Sequence, residues 1–131
     1  MIMRYLGIDY GSKRIGIAVS DDEGRMAFPS GIIANRGKTA IKEIADIIRK
    51  KHIDLVVVGM PMGLDGKETG QTQATRLFMA ILQHAIHIPI ETENEMLTSR
   101  MAEASGMQDG HIDASSAAII LQSYLDKRNK L

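Results

Sequence analysis

The sequence predicts an α/β domain built on a mixed five-stranded sheet, and three observations carry that expectation. Apolar residues alternate in the first part of the chain, as they do in strands with one buried face. The period then changes to that of amphipathic helices. An unbroken apolar run, Leu55-Val56-Val57-Val58, has the pattern of a strand covered on both faces, as parallel strands usually are. A strand meander followed by strands alternating with helices gives the order β-β-β-α-β-α-β-α-α, with helices on both faces of the sheet.

Each element has its own signal. Tyr5 to Asp9 is a short apolar run, and beyond a loop at Tyr10 to Lys13 the residues Ile15, Ile17 and Val19 alternate with smaller ones. Asp22-Glu23-Gly24 is a turn into a third strand near Met26 to Ile33, which completes an antiparallel meander. From Thr39 to Lys51, Ile41, Ile44, Ala45 and Ile48 fall at helical spacing. Leu55 to Val58 is expected to be the central strand. A second helix is predicted from about Thr72 to Ala85, with Ala74, Leu77, Phe78, Ile81, Leu82 and Ala85 on one stripe. Ile88 to Thr92 is a further short strand, and a short helix over Thr98 to Ser105 stops at Gly106. The last helix starts near Asp113 and buries Ala117, Ile120, Leu121, Tyr124 and Leu125.

The 131 residues suit one domain, residues 1–131, and are enough to bury a core without a staple. Cysteine is absent, which excludes disulfides and thiolate metal sites and fits a reducing cytoplasm, the expected location. The N-terminus enters a strand-like run at once and shows no signal-peptide pattern. No apolar run approaches the ~18 residues of a membrane helix, so no membrane partner is expected. Net charge is zero, without the basic excess of a protein that wraps a long duplex. The cations are local: Lys13-Arg14, Arg49-Lys50-Lys51, and Lys127-Arg128 with Lys130. Nucleic-acid binding therefore does not follow from charge.

Four stretches hold chemistry-bearing residues. In Ile8-Asp9-Tyr10-Gly11-Ser12 an acid ends an apolar strand, where ligands of open α/β sheets gather, and Gly11 permits close approach. Taken alone, the motif is equally a turn. The loop Gly59-Met60-Pro61-Met62-Gly63-Leu64-Asp65-Gly66 is glycine-rich, and Gly63 is a candidate phosphate contact. It lacks the Gly-Lys-Ser/Thr of a P-loop, and in isolation it is better explained as a connection. In Glu91-Thr92-Glu93-Asn94-Glu95, alternation puts the three glutamates on one face, where a divalent ion relieves their repulsion. A solvated acidic turn is the better explanation unless another acid converges. In His111-Ile112-Asp113-Ala114-Ser115-Ser116-Ala117-Ala118, Asp113 suits an N-cap, and the small residues let the helix lie close to the sheet, so that its first-turn acid can reach the strand ends. Oxygen ligands from separate element ends suit Mg²⁺ or Mn²⁺ rather than zinc. Such a cluster can hold two ions that clamp the attacking and leaving oxygens of a phosphodiester.

In this order the segments GIDYGSKRIGIAVSD (7–21), VVVGMPMGLDGKETGQT (56–72), NEMLTSRMAEA (94–104) and IDASSAAIILQSYLD (112–126) resemble the YqgF family, also called RuvX, relatives of the RuvC junction resolvase. The resemblance spans nearly the whole chain. It implies a ribonuclease H-like fold and a metal-dependent nuclease that processes the 5′ end of precursor 16S rRNA or resolves Holliday junctions. It matches the family's acids to Asp9, Glu95 and Asp113 as catalytic, metal-coordinating residues for Mg²⁺ or Mn²⁺. Lys13 and Arg14, with Gly11 and Gly63, are the matching candidates for substrate contact. The implied partner is structured RNA or branched DNA, bound by a monomer or weak homodimer. One departure stands out: the family's Asp-Glu-Arg triplet is Asn94-Glu95-Met96 here. An acid and a cation are replaced, so the alternative is a non-catalytic nucleic-acid or ribosome-associated module.

Overall fold

The computed structural model describes residues 2–94 and 114–130. Five strands and three helices follow one another as β1 (Tyr5–Tyr10), β2 (Arg14–Ser20), β3 (Ala27–Ala34), α1 (Lys38–Lys50), β4 (Leu55–Met60), α2 (Gly70–Ala85), β5 (Ile90–Asn94) and α3 (Ala114–Asn129). The sheet order is β3-β2-β1-β4-β5. The meander β1–β2–β3 is antiparallel, whereas β1–β4 and β4–β5 are parallel. The central strand is thus β1, with β4 beside it. The expectation for β4 needs that correction, although every β4 residue is buried as its apolar run requires. The helix predicted at Thr98 to Ser105 lies outside the described residues.

Strand alternation sorts the core into two layers. Leu6, Ile8, Ile15, Ile17, Val56 and Val58 face α1 and α2, where Ile44, Ile48, Phe78 and Leu82 meet them. Tyr5, Ala18, Leu55 and Val57 face α3 through Ala117, Ile120, Leu121 and Leu125. Gly7 decides how close α3 comes. A Cβ there would lie 2.7 Å from Leu121 Cβ and 3.0 Å from the Ala117 carbonyl oxygen. The small residues read from the sequence accordingly seat this helix against β1.

Two expectations shift. The stripe predicted on α2 is corrected by the fold: Thr72, Thr75, Phe78 and Leu82 are buried, but Ala74, Leu77, Ile81 and Ala85 are exposed. A single layer of α1 and sheet covers only one flank of this helix. Strand β5 begins two residues later than predicted, because Pro89 has no N–H for the ladder. Its carbonyl still accepts from the Val56 N–H at 3.0 Å. No described helix is long and apolar enough to cross a membrane.

Candidate active site at the strand ends

The C-terminal ends of β1, β4 and β5 lie side by side. Ile8 pairs with Val58 and Val58 with Thr92, so the next residues along, Asp9, Gly59 and Glu93, form one row. All three belong to the α3 face, since Asp9 follows Tyr5 and Gly7 in alternation. With strands ~4.8 Å apart, the two acids of the row stand ~10 Å from one another across a residue with no side chain. Asp9 is 7% exposed and Glu93 6%.

The direction of α3 follows from its contacts. Arg128 lies 5.8 Å over the Tyr5 ring, and the Tyr124 ring stands 6.1 Å from it. Ala117 and Leu121 sit at Gly7. Moving along β1 from Tyr5 toward Asp9 therefore means moving toward the first turn of α3. Of the three predicted catalytic acids, Asp9 is described, and the structure places it in a buried position beside that turn. Glu95 and Asp113 lie outside the described residues. They directly follow Asn94, the last residue of β5, and directly precede Ala114, the first of α3.

Among the described residues no three His, Asp or Glu side chains gather around a metal-sized space. The acidic run of β5 is used differently from the expectation of a shared ion. Glu91 and Glu93 do share a face, but α3 takes them both. The Glu93 carboxylate accepts from Lys127 Nζ and from Ser123 Oγ, each at 2.7 Å. Glu91 accepts from the Tyr124 hydroxyl. Burial, reinforced by the Glu91 contact, pushes the Tyr124 phenol up to about 12. Glu93 is consequently committed to the β5–α3 junction. The spacing of Ser123 and Lys127, one helical turn apart, was the available signal for this clamp.

The predicted substrate contacts lie in the β1–β2 and β4–α2 connections. Gly11 is buried, while Lys13 and Arg14 are exposed at the start of β2. Gly63 lies in the β4–α2 loop, where its N–H donates to the Lys67 carbonyl at 2.9 Å and its own carbonyl accepts from Gly66 N–H at 2.8 Å. That amide closes a turn instead of facing a ligand. The loop is anchored to the site's edge, for Thr72 Oγ1 donates to the Pro61 carbonyl and Gln71 Nε2 to the Tyr10 carbonyl at 3.3 Å. Tyr10 itself stacks on Phe78 with centroids 4.3 Å apart. Sequence reasoning missed Asn35. Its Nδ2 donates to the Gly11 carbonyl at 2.8 Å and its backbone N–H to the Lys13 carbonyl at 2.9 Å.

A family model described as "RuvX: Holliday junction resolvase" matches residues 3–127. The chain belongs to the RuvX family. A relative from Anaeromyxobacter sp. (strain Fw109-5), named "Putative pre-16S rRNA nuclease", is 36% identical to this RuvX chain over 136 residues, covering 97% of the chain and 99% of the relative. A relative of the same name from Synechococcus sp. (strain JA-2-3B'a(2-13)) is 39% identical over 132 residues, covering 94% and 78%. Among solved structures, Thermus thermophilus RuvC superposes with a TM-score of 0.60 at 12% identity, covering 96% of each chain. The RuvX chain thus has the ribonuclease H-like fold of RuvC, as the sequence implied.

The donor chemistry available to the RuvX chain suits a hard divalent ion. Asp9 offers carboxylate oxygens at a buried strand end. Asn94, the residue that replaces the family's acid, ends β5 in an exposed position opposite Met60.

Proposed function

We propose that this protein is a metal-dependent nuclease that hydrolyses a phosphodiester bond, with precursor 16S rRNA as the favoured substrate class and branched DNA as the other. The observation that carries this reading is the buried Asp9 carboxylate on the α3 face, in the row where β1, β4 and β5 end and toward which the first turn of α3 points. The names of the relatives support the choice of substrate. In this reading Asp9, Glu95 and Asp113 hold Mg²⁺ or Mn²⁺. One or two such ions, when bound, neutralise charge on the attacking and leaving oxygens. The chain's own residues do the rest. The sheet holds Asp9 rigidly, Gly11 permits close approach of the substrate backbone, and Lys13 and Arg14 attract its phosphates. The reading places the work in the cytoplasm.

Purified protein with Mg²⁺ or Mn²⁺ is expected to cut a precursor rRNA leader or a four-way junction, and Asp9→Asn to lose that cleavage while keeping its fold. Equal behaviour of the two proteins on both substrates rejects the site. A second reading, a binding module without catalysis, is favoured by Asn94 and Met96 in place of an acid and a cation. Calorimetric titration with Mn²⁺ separates the two. Saturable binding that Asp113→Asn removes argues for the nuclease, and absence of binding argues for the module.

A further inference from the structure

The zero net charge conceals a local excess. Five described cations have carboxylate partners: Arg4 with Asp22, Arg25 with Glu23, Arg49 with Asp46, Arg76 with Glu68 and Lys127 with Glu93. Lys13, Arg14, Arg36 and Lys38 belong to none of these pairs and are exposed; Lys42, Lys50, Lys51, Lys67, Arg128 and Lys130 are likewise outside them, but only the first four flank the joint between the β1–β2 connection and the end of β3. They come from two segments far apart in function of the chain: the β1–β2 connection, and the turn between β3 and α1. The fold brings them together. Arg14 pairs with Ala34 across the β2–β3 ladder, and Asn35 fastens the two segments through the carbonyls of Gly11 and Lys13. Gly11 is two residues beyond Asp9.

Stability does not explain the placement of these charges. Lys38 is the first residue of α1, where a cation opposes the helix dipole. That helix has no acid in its first turn and no side-chain cap at Gly37, whose φ of 63° takes the chain into the helix. Each of these choices raises the positive potential at one place, beside the strand end that carries Asp9. An anion is the natural counterpart.

We infer that Lys13, Arg14, Arg36 and Lys38 form one phosphate-binding shelf, fastened by Asn35, that holds the nucleic-acid backbone flanking the bond presented to Asp9. The inference rests on the nuclease reading and extends it to Arg36 and Lys38, two residues the family motifs do not mark. The ligand chemistry is the phosphodiester backbone, in RNA or DNA. Contacts of this kind weaken with salt and carry no base preference.

The test is fluorescence anisotropy of a labelled rRNA leader and a labelled four-way junction, in EDTA so that nothing is cut, over a salt series. The Arg36→Gln/Lys38→Gln variant is expected to bind more weakly regardless of sequence. Its log–log salt slope should fall by about 1.4 on a single strand or about 1.8 on duplex arms, the loss of two phosphate contacts. Lys50→Gln/Lys51→Gln, at the opposite end of α1, should keep the wild-type slope. A reduced slope on either substrate supports the shelf and identifies its nucleic acid. An unchanged slope in Arg36→Gln/Lys38→Gln, or an equal fall in the Lys50/Lys51 control, overturns it while leaving the nuclease reading intact. Wild-type protein that binds neither substrate overturns both.

Discussion

Glu93 and Lys127 join the last strand to the last helix by a 2.7 Å ion pair whose acid is buried and whose base reaches out to solvent. In sequence Glu95 directly follows the last residue of β5 and Asp113 directly precedes the first of α3, and the ion pair ties these two elements together. Removing the cation leaves a buried acceptor with only Ser123 Oγ. Lys127→Met should cost about 1–2 kcal/mol in urea unfolding, the lower part of the range for such a loss, because Lys127 is largely solvated and the serine remains. Adding Glu93→Gln to it should recover part of the loss. A Lys127→Met variant as stable as wild type would show that the pair contributes nothing.

Tyr124 gives the alkaline limb of stability. Its phenol is raised from 10.0 to about 12 in the fold, so the protonated form is the one the fold favours. That contribution is complete below pH 10 and is lost as pH rises from about 10 to about 12. Wild type should lose stability across this window more steeply than Tyr124→Phe, as followed by circular dichroism at fixed urea. Parallel curves would sink the assignment.

Gly7 sets the distance between α3 and β1. Gly7→Ala puts a methyl group 2.7 Å from Leu121 Cβ, against a helix backbone that cannot yield locally. The expected cost is about 1–3 kcal/mol, the range for overpacking a core. Cleavage should fall with it, since the first turn of α3 shifts away from Asp9. A variant with unaltered melting would mean that the helix moves freely.

His52 ends α1 at a φ of 54°, a left-handed conformation for which a residue with a Cβ is poorly suited. The last turn closes there through Ile53 N–H to the Ile48 carbonyl at 3.0 Å. His52→Gly should raise stability by about 1 kcal/mol and leave nucleic-acid binding unchanged, because it lies at the end of α1 away from Lys38. Thermal melts and the anisotropy assay measure the two effects.

Much of this was legible in the chain. Periodicity placed α1 within one residue of its observed bounds, and the run Leu55 to Val58 identified a strand buried on both faces. The small residues of α3 announced its close approach to the sheet. Asp9 was visible as a strand-end acid because its own neighbours define both the strand and its end. The β5 acids were the harder case. Alternation showed that Glu91 and Glu93 share a face, but not that Tyr124, Ser123 and Lys127 would occupy it, since those contacts span about thirty residues of chain.

By itself, then, the sequence determined the five strands, the three described helices and the family, and it named the candidate acids, because each is encoded by residues close together or by motifs in fixed order. Only the tertiary structure decided which face a residue serves and what stands opposite it. It made β1 the central strand, committed Glu93 to Lys127, and joined the chain just before Arg36 and Lys38 to the backbone of Gly11 to Arg14. Those outcomes depend on strand pairing and helix packing between distant segments, where hydrogen bonds, burial and charge choose among partners that no local pattern can specify.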